Sequence, residues 1–218
     1  LAAKRRKYTR TTDSRHWMRK YDNLVKGVVL NRPEQVFVSD ITYIATEYGY
    51  SYLSLVTDAC SKKIMGYQLS EDLKPLGCLQ ALEMALGRRT TNLPLTHHSD
   101  RGYQYCSKEY VALLQRQGIS ISMTENGDPY ENAIAERVNG ILKEEFYLGE
   151  TFASYAEAER HVSESITTYN SMRPHLSCDF MTPEIAHTHQ QLCPKRWVRR
   201  NTNTKGSSVH STSPRPQL

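Results

Sequence analysis

Residues 36–44 read Val36-Phe37-Val38-Ser39-Asp40-Ile41-Thr42-Tyr43-Ile44. β-branched and aromatic side chains of this kind fit a pleated, half-buried strand, and aspartate is among the residues depleted there. A carboxylate in mid-strand is costly to desolvate unless it is hydrogen-bonded or has a chemical task. Asp40 is therefore either a satisfied buried acid or a functional one. Two further runs, residues 50–57 and 63–69, have the same character, and residues 47–49 form a turn between the first two. The opening predicts three antiparallel strands, the first over residues 35–45.

Helical spacing follows. Leu76, Leu79, Leu82, Met84 and Leu86 supply an apolar stripe over residues 75–88, and Pro75 suits a first helical turn. Residues 93–98 read as a fourth strand that delivers Ser99-Asp100 at its end. Ser107 is a good N-cap for a helix to residue 117, Gly118 ends it, and residues 119–123 read as a fifth strand. Asn126-Gly127-Asp128-Pro129 is a strong turn and mobile-loop signal. Long helices are predicted over residues 130–147 and 154–170. Strands and helices in this order predict an α/β fold, a mixed five-stranded sheet flanked by helices.

The chain has 218 residues, 39% of them hydrophobic and 23% charged, ordinary values for a soluble globular protein. No apolar run is long enough to span a bilayer, and the basic start lacks the apolar stretch of a signal peptide. A cytoplasmic location is expected. Cys60, Cys78, Cys106, Cys178 and Cys193 are scattered without a C-x-x-C pair, so reduced structural thiols are expected. Residues 1–20 hold eight Lys/Arg against one acid, and residues 195–218 hold six against none. A net charge of +5 thus leaves −8 on residues 21–194. Basic ends suit phosphate backbones or are solvated tails, whereas an acidic middle suits DNA only if bound cations neutralise part of it. The expected organisation is a basic N-terminal linker or arm over 1–31, a catalytic core over 32–187, and a basic, disordered tail over 188–218.

Two more acids join Asp40. Asp100 sits at the end of the fourth strand, where a side chain meets the crevice at the carboxyl edge of a sheet. Glu136 lies on the long helix, on a polar stripe with Asn132, Asn139 and Lys143 at spacings of i, i+4, i+7 and i+11. Ala135, Val138 and Leu142 form another stripe that can pack on the sheet and fix the orientation of Glu136. Three carboxylates from two strands and a helix suit hard, oxygen-seeking cations such as Mg²⁺. Two such ions favour in-line displacement at phosphorus.

The motifs Asp40-Ile41-Thr42-Tyr43-Ile44, His98-Ser99-Asp100-Arg101-Gly102-x-Gln104-Tyr105 and Glu131-Asn132-Ala133-x-Ala135-Glu136-Arg137, followed by Leu142-Lys143-x-Glu145, resemble the integrase core of bacterial insertion-sequence transposases, related to retroviral integrases. Thirty-five residues separate Asp100 from Glu136, the interval typical of that group. Tyr169-Asn170-x-x-Arg173-Pro174-His175 and Thr182-Pro183-Glu184 resemble its closing motifs. The resemblance covers residues 4–187 and implies a ribonuclease-H-like fold with Asp40, Asp100 and Glu136 as catalytic, metal-binding residues. It implies a polynucleotidyl transferase that uses two Mg²⁺ ions, or Mn²⁺ in their place, to free 3′ DNA ends and join them to another strand. It also implies that Lys143 contacts the element end, and the expected partners are DNA and further copies of the chain. An upstream helix-turn-helix module, usual in the family, is expected to be absent from this chain. Further DNA contacts are expected from Asn132, Asn139, Arg101 and Arg173.

Other residues compete. Asp58 reads as a turn residue rather than a rival ligand, and Glu125, Asp128 and Glu131 as solvated acids around the loop. His97 and His98, consecutive on a strand, point to opposite faces and cannot share one ion. Ser99 lacks the glycines and the base of a nucleophile elbow. Arg173 and His175 suit phosphate contact or support of a helix end equally well. Two alternatives stay open: an inactive DNA-binding remnant, and a structure-specific nuclease of the same superfold.

Overall fold

A computed structural model describes residues 16–125 and 132–189. Strands β1 (Val36–Thr46), β2 (Gly49–Asp58) and β3 (Ile64–Ser70) form an antiparallel meander. Helix α1 (Pro75–Gly87) leads to β4 (Thr96–Ser99), and α2 (Lys108–Arg116) leads to β5 (Ser120–Met123). Helix α3 (Ala133–Glu145), the two-residue strand β6 (Thr151–Phe152), α4 (Tyr155–Met172) and the short α5 (Pro183–Thr188) follow among the described residues. The sheet order is β3-β2-β1-β4-β5, with β6 also paired to β1. β4, β5 and β6 run parallel to their neighbours, so the sheet is mixed, as expected.

The sixth strand was not foreseen, because two residues carry no periodic signal. It matters all the same. β1 pairs with β4 only through Val36–Val38, and with β6 only through Ala45 and Thr46. Between them, residues 39–44 have a strand partner on the β2 side alone. Asp40 lies in this notch.

Each sheet face carries its own core. Phe37, Ile41, Leu82, Tyr110, Leu114 and Met123 gather under α1 and α2, while Ile44, Leu53, Val138, Leu142, Val162 and Tyr169 gather under α3 and α4. Helix α1 turns a different face inward from the one its leucines suggest. It buries Gly77, Cys78, Ala81, Leu82 and Ala85, and Leu76 is exposed. The cause is close approach to β3: a Cβ on Gly66 would collide with the Ala81 carbonyl and the Ala85 backbone. Only small residues fit such a contact.

Ser107 caps α2 by accepting from the Tyr110 N–H, as predicted. The start of the helix predicted over residues 130–147 falls on residues 126–131, which lie outside the described residues, as do Asp128, Glu131, Cys193 and the tail from residue 190. Residues 16–31 form neither helix nor strand, yet they are tied to the core. The Met123 N–H donates to the Asp22 carbonyl, the Leu24 N–H donates to Ser122 Oγ, and Met18 and Tyr21 pack on the first core.

Candidate active site

β1 supplies the first acid. Its parallel register with β4 matches Val38 with His98, and two more residues along both strands bring Asp40 level with Asp100. The acid after β4 therefore reaches the notch by sheet geometry alone. The Gly102 N–H donates to Asp100 Oδ1 at 2.9 Å and holds that carboxylate in its turn.

Helix α3 lies along the open edge of β1. Asn132 Nδ2 donates to the Ser39 carbonyl at 3.1 Å, and Asn139 Nδ2 donates to Asp40 Oδ2 at 2.7 Å. Lys143 Nζ stands 3.7 Å from the centroid of the Tyr43 ring, a cation–π contact. The polar stripe read from the sequence thus grips β1 residue by residue. Both asparagines are buried at 7% exposure with their amide donors engaged inside the protein. They hold the helix to the strand. Glu136 occupies the same stripe between them and is exposed.

Half-buried Asp40 is pushed up to about 7. Burial is the main cause, the negative charge of Asp100 the next, and Glu136 adds to it, against the Ile41 N–H and the Asn139 amide. Lost hydration also raises Glu136. Hard oxygen donors on β1, just after β4 and on α3, one of them raised to about 7 by burial and by its acidic neighbours, fit a divalent cation. Among the described residues, however, no three His, Cys, Asp or Glu side chains already stand at common metal-ligating distance. The acids are neighbours rather than a closed cage.

The surrounding residues sort themselves by hydrogen bonding. His97 bonds Ser39 Oγ and the Tyr110 hydroxyl through Nε2, each at 2.8 Å, and burial, then His98, pull its pKa down to about 3. It is a neutral strut behind Asp40. His98 Nδ1 bonds Ser122 Oγ of β5, so the two histidines do diverge. Burial pushes the Cys78 and Cys106 thiols up to about 11, which removes them as nucleophiles. Asp58 is fully buried and accepts from the N–H groups of Glu34, Cys60 and Ser61 and from the Ser61 hydroxyl, as a turn residue should. Arg173 forms a two-pronged ion pair with Glu145, at 2.6 Å through both nitrogens, so its guanidinium is engaged within the protein. The pair ties the start of the segment after α4 to the α3 end. Arg101 is half-buried, and its carbonyl bonds His16 Nε2 at 2.9 Å. His16 and Tyr43 were missed, since nothing in their spacing marked them.

Comparison with known proteins agrees with this fold. One family model, an integrase core domain, matches residues 31–129, and a second integrase core domain model matches residues 117–183. The transposase of insertion sequence IS904 from Lactococcus lactis is 32% identical over 177 residues, spanning 78% of this chain and 70% of that protein. The transposase of IS629 from Shigella sonnei is 34% identical over 169 residues, and there the chain spans only 57% of its relative. Among solved structures, the HTLV-2 integrase catalytic core domain in complex with magnesium superposes with a TM-score of 0.58 at 18% identity, covering 72% of this chain and 97% of that one. A chain of a simian T-cell lymphotropic virus intasome gives 0.63 at 17% identity, covering 94% of this chain and 68% of that one.

The fold is therefore the ribonuclease-H-like integrase core. Within that class, the chain belongs to the integrase-core transposases of bacterial insertion sequences. Among the described residues, no helix is long and apolar enough to cross a membrane.

Proposed function

We propose that this chain is the catalytic core of a transposase that frees 3′ DNA ends by hydrolysis and joins them to a second strand, with Asp40, Asp100 and Glu136 as the acids that hold divalent metal. The observation that carries this reading is geometric: the open edge of β1 between β4 and β6 gathers Asp40, Asp100 and Glu136, and there burial first, then the charges of Asp100 and Glu136, destabilise the Asp40 carboxylate. Repulsion of this kind is relieved by cations, and Mg²⁺ suits oxygen donors. When bound, a pair of such ions supplies charge stabilisation to the attacking and leaving oxygens at phosphorus. The magnesium named with the HTLV-2 integrase core supports that metal class.

The chain's own residues prepare the site. Asn139 orients Asp40, the Gly102 N–H orients Asp100, and Asn132 fixes the start of α3 one turn ahead of Glu136. Lys143 and Arg101 are the cations that meet the DNA phosphates flanking the acids. Element ends and target DNA are the substrates, and copies of the chain assemble on them.

The test incubates the full chain with Mg²⁺ or Mn²⁺ and a labelled oligonucleotide bearing a 3′-OH. Joined products are expected, and Asp40→Asn, Asp100→Asn or Glu136→Gln should each remove them. Hydrolysis without joining would make the protein a nuclease, and neither reaction would make it an inactive remnant.

A further inference from the structure

The tip of the β1–β2 hairpin carries more exposed aromatic surface than its fold needs. Thr46 pairs with Gly49 across a two-residue loop, which puts Tyr48 at the turn with 88% of its surface exposed. Tyr50, the second residue of β2, is 54% exposed and meets Tyr43 edge to face, with centroids 5.3 Å apart at 78°. Tyr43 carries the Lys143 ammonium on its ring. Isolated exposed aromatics are commonplace. Here three tyrosines and a cation share one corner.

That corner adjoins the acids. Tyr43 follows Asp40 by three residues on a continuous strand, about 10 Å at the usual strand rise, and although the two side chains leave β1 on opposite faces, α3 along the open edge touches both, Asp40 through Asn139 and Tyr43 through Lys143. The same distance is about three base steps of B-form DNA. A strand whose phosphate lay at Asp40 would therefore bring a base within two or three nucleotides to the tyrosines. Lys143 joins the two places, since its helix also supplies the Asn139 contact to Asp40.

We infer that Tyr50, backed by Tyr43 and flanked by Tyr48, is a stacking platform for an unpaired nucleobase close to the reacting end of the DNA. Inside a duplex both faces of a base are covered, so an aromatic side chain gains stacking only from a base that has left its stack. Aromatic surface beside a cationic group is the usual means of holding such strands. Tyr43 cannot serve as the open face, because Lys143 covers it; its edge instead fixes the angle of the Tyr50 ring. The ligand is thus a frayed or single-stranded terminal nucleotide, with the platform tolerant of base identity. This inference rests on the proposed DNA substrate and names the part of it that the hairpin takes.

The experiment measures binding of the full chain to two labelled DNAs, one blunt and one with three unpaired terminal nucleotides carrying 2-aminopurine. It is run without divalent metal, so no catalysis enters. Wild-type protein should bind the unpaired end more tightly and quench the 2-aminopurine emission. Tyr50→Ala should lose about tenfold in affinity for the unpaired end and little for the blunt DNA, and should abolish the quenching. Tyr48→Ala should lose less, and Tyr50→Trp should restore both signals, which a merely structural role would not do. Equal affinity for the two DNAs in the wild type, or equal losses on both in Tyr50→Ala, would overturn the platform. A wild-type chain that prefers the unpaired end yet joins no strands when Mg²⁺ or Mn²⁺ is supplied would overturn the catalytic reading and leave the platform standing.

Discussion

Two carboxylate corners share one strand pair, Asp58 opposite Phe37 and Asp40 three residues further along β1, and they differ in what faces the acids. At the foot of β1, Glu34 and Asp58 are wholly buried yet amply supplied with donors. The N–H and hydroxyl groups of Thr90 and Thr91 all donate to Glu34, and Arg89 and His187 lie within 3.8 Å and 3.4 Å of it. Burial acts to raise the Glu34 carboxyl, but those donors outweigh it and hold it below the ordinary range. In the notch, Asp40 has the Asn139 amide and the Ile41 N–H, and against them stand burial, Asp100 and Glu136. The first corner is complete without help, and the second lacks positive charge. Burial of an acid therefore says little about function until its partners are counted.

Catalytic loss should separate the corners most widely. Asp40→Asn is expected to lower strand joining by about a thousandfold or more, as for removal of one metal ligand, while leaving the melting temperature unchanged or higher because a repulsion goes. A joining assay paired with thermal melting checks both halves; a strongly destabilised Asp40→Asn would erase the contrast.

Stability should move at the other corner. Asp58→Ala strands three buried backbone N–H groups and the Ser61 hydroxyl, with an expected loss of about 3–5 kcal/mol. Urea unfolding at constant slope measures it, and a loss under about 1 kcal/mol would mean that water or rearranged backbone replaces the carboxylate.

Divalent metal and pH should act on the notch alone. Mg²⁺ at a hundred times its dissociation constant is expected to add about 2.7 kcal/mol, and Asp40→Asn should blunt the gain. In chelator, the folded pKa of Asp40 near 7 lies above its ordinary 3.8. The folded state then holds the extra proton between those values, so stability falls as pH rises through that window, by at most about 1.4 kcal/mol per pH unit. Glu34 has the opposite sign: its contribution is full above its ordinary 4.5 and fades as pH drops below it. The difference in melting temperature between wild type and Asp40→Asn, followed from pH 4 to 8, should slope; a flat line would remove the raised carboxyl.

The smallest effect belongs to Arg173. Its pair with Glu145 is two-pronged but partly solvated, so Arg173→Ala should cost about 1 kcal/mol or less. A double-mutant cycle with Glu145→Ala isolates that coupling. If the single change instead weakens DNA binding and flattens its salt dependence, the guanidinium has a second task on phosphate.

Much of this was legible in the chain. Alternating β-branched residues marked β1 and β2, Ser107 marked the start of α2, and the consecutive positions of His97 and His98 already excluded a shared ion. Asp40, Asp100 and Glu136 stood out as acids in places that disfavour acids, or at a familiar interval. The stripe of Asn132, Glu136, Asn139 and Lys143 was visible too, but its direction was not. Helical spacing says which residues share a face and leaves open what the face meets. The same gap misled the choice of face on α1, where the close approach at Gly66 selected alanines over leucines.

By itself the sequence determined the order of elements from β1 to α4 apart from β6, the family and the spacing of the three candidate acids, because these depend on local periodicity and on residue identity at fixed intervals. Tertiary structure decided which acids lack donors, that the asparagines hold α3 to β1, and that Lys143 rests on Tyr43 beside an exposed hairpin. Each of those depends on the notch between β4 and β6 along β1. The notch exists only when β4 and β6, 52 residues apart from Ser99 to Thr151, both pair with β1, and no local pattern encodes that meeting.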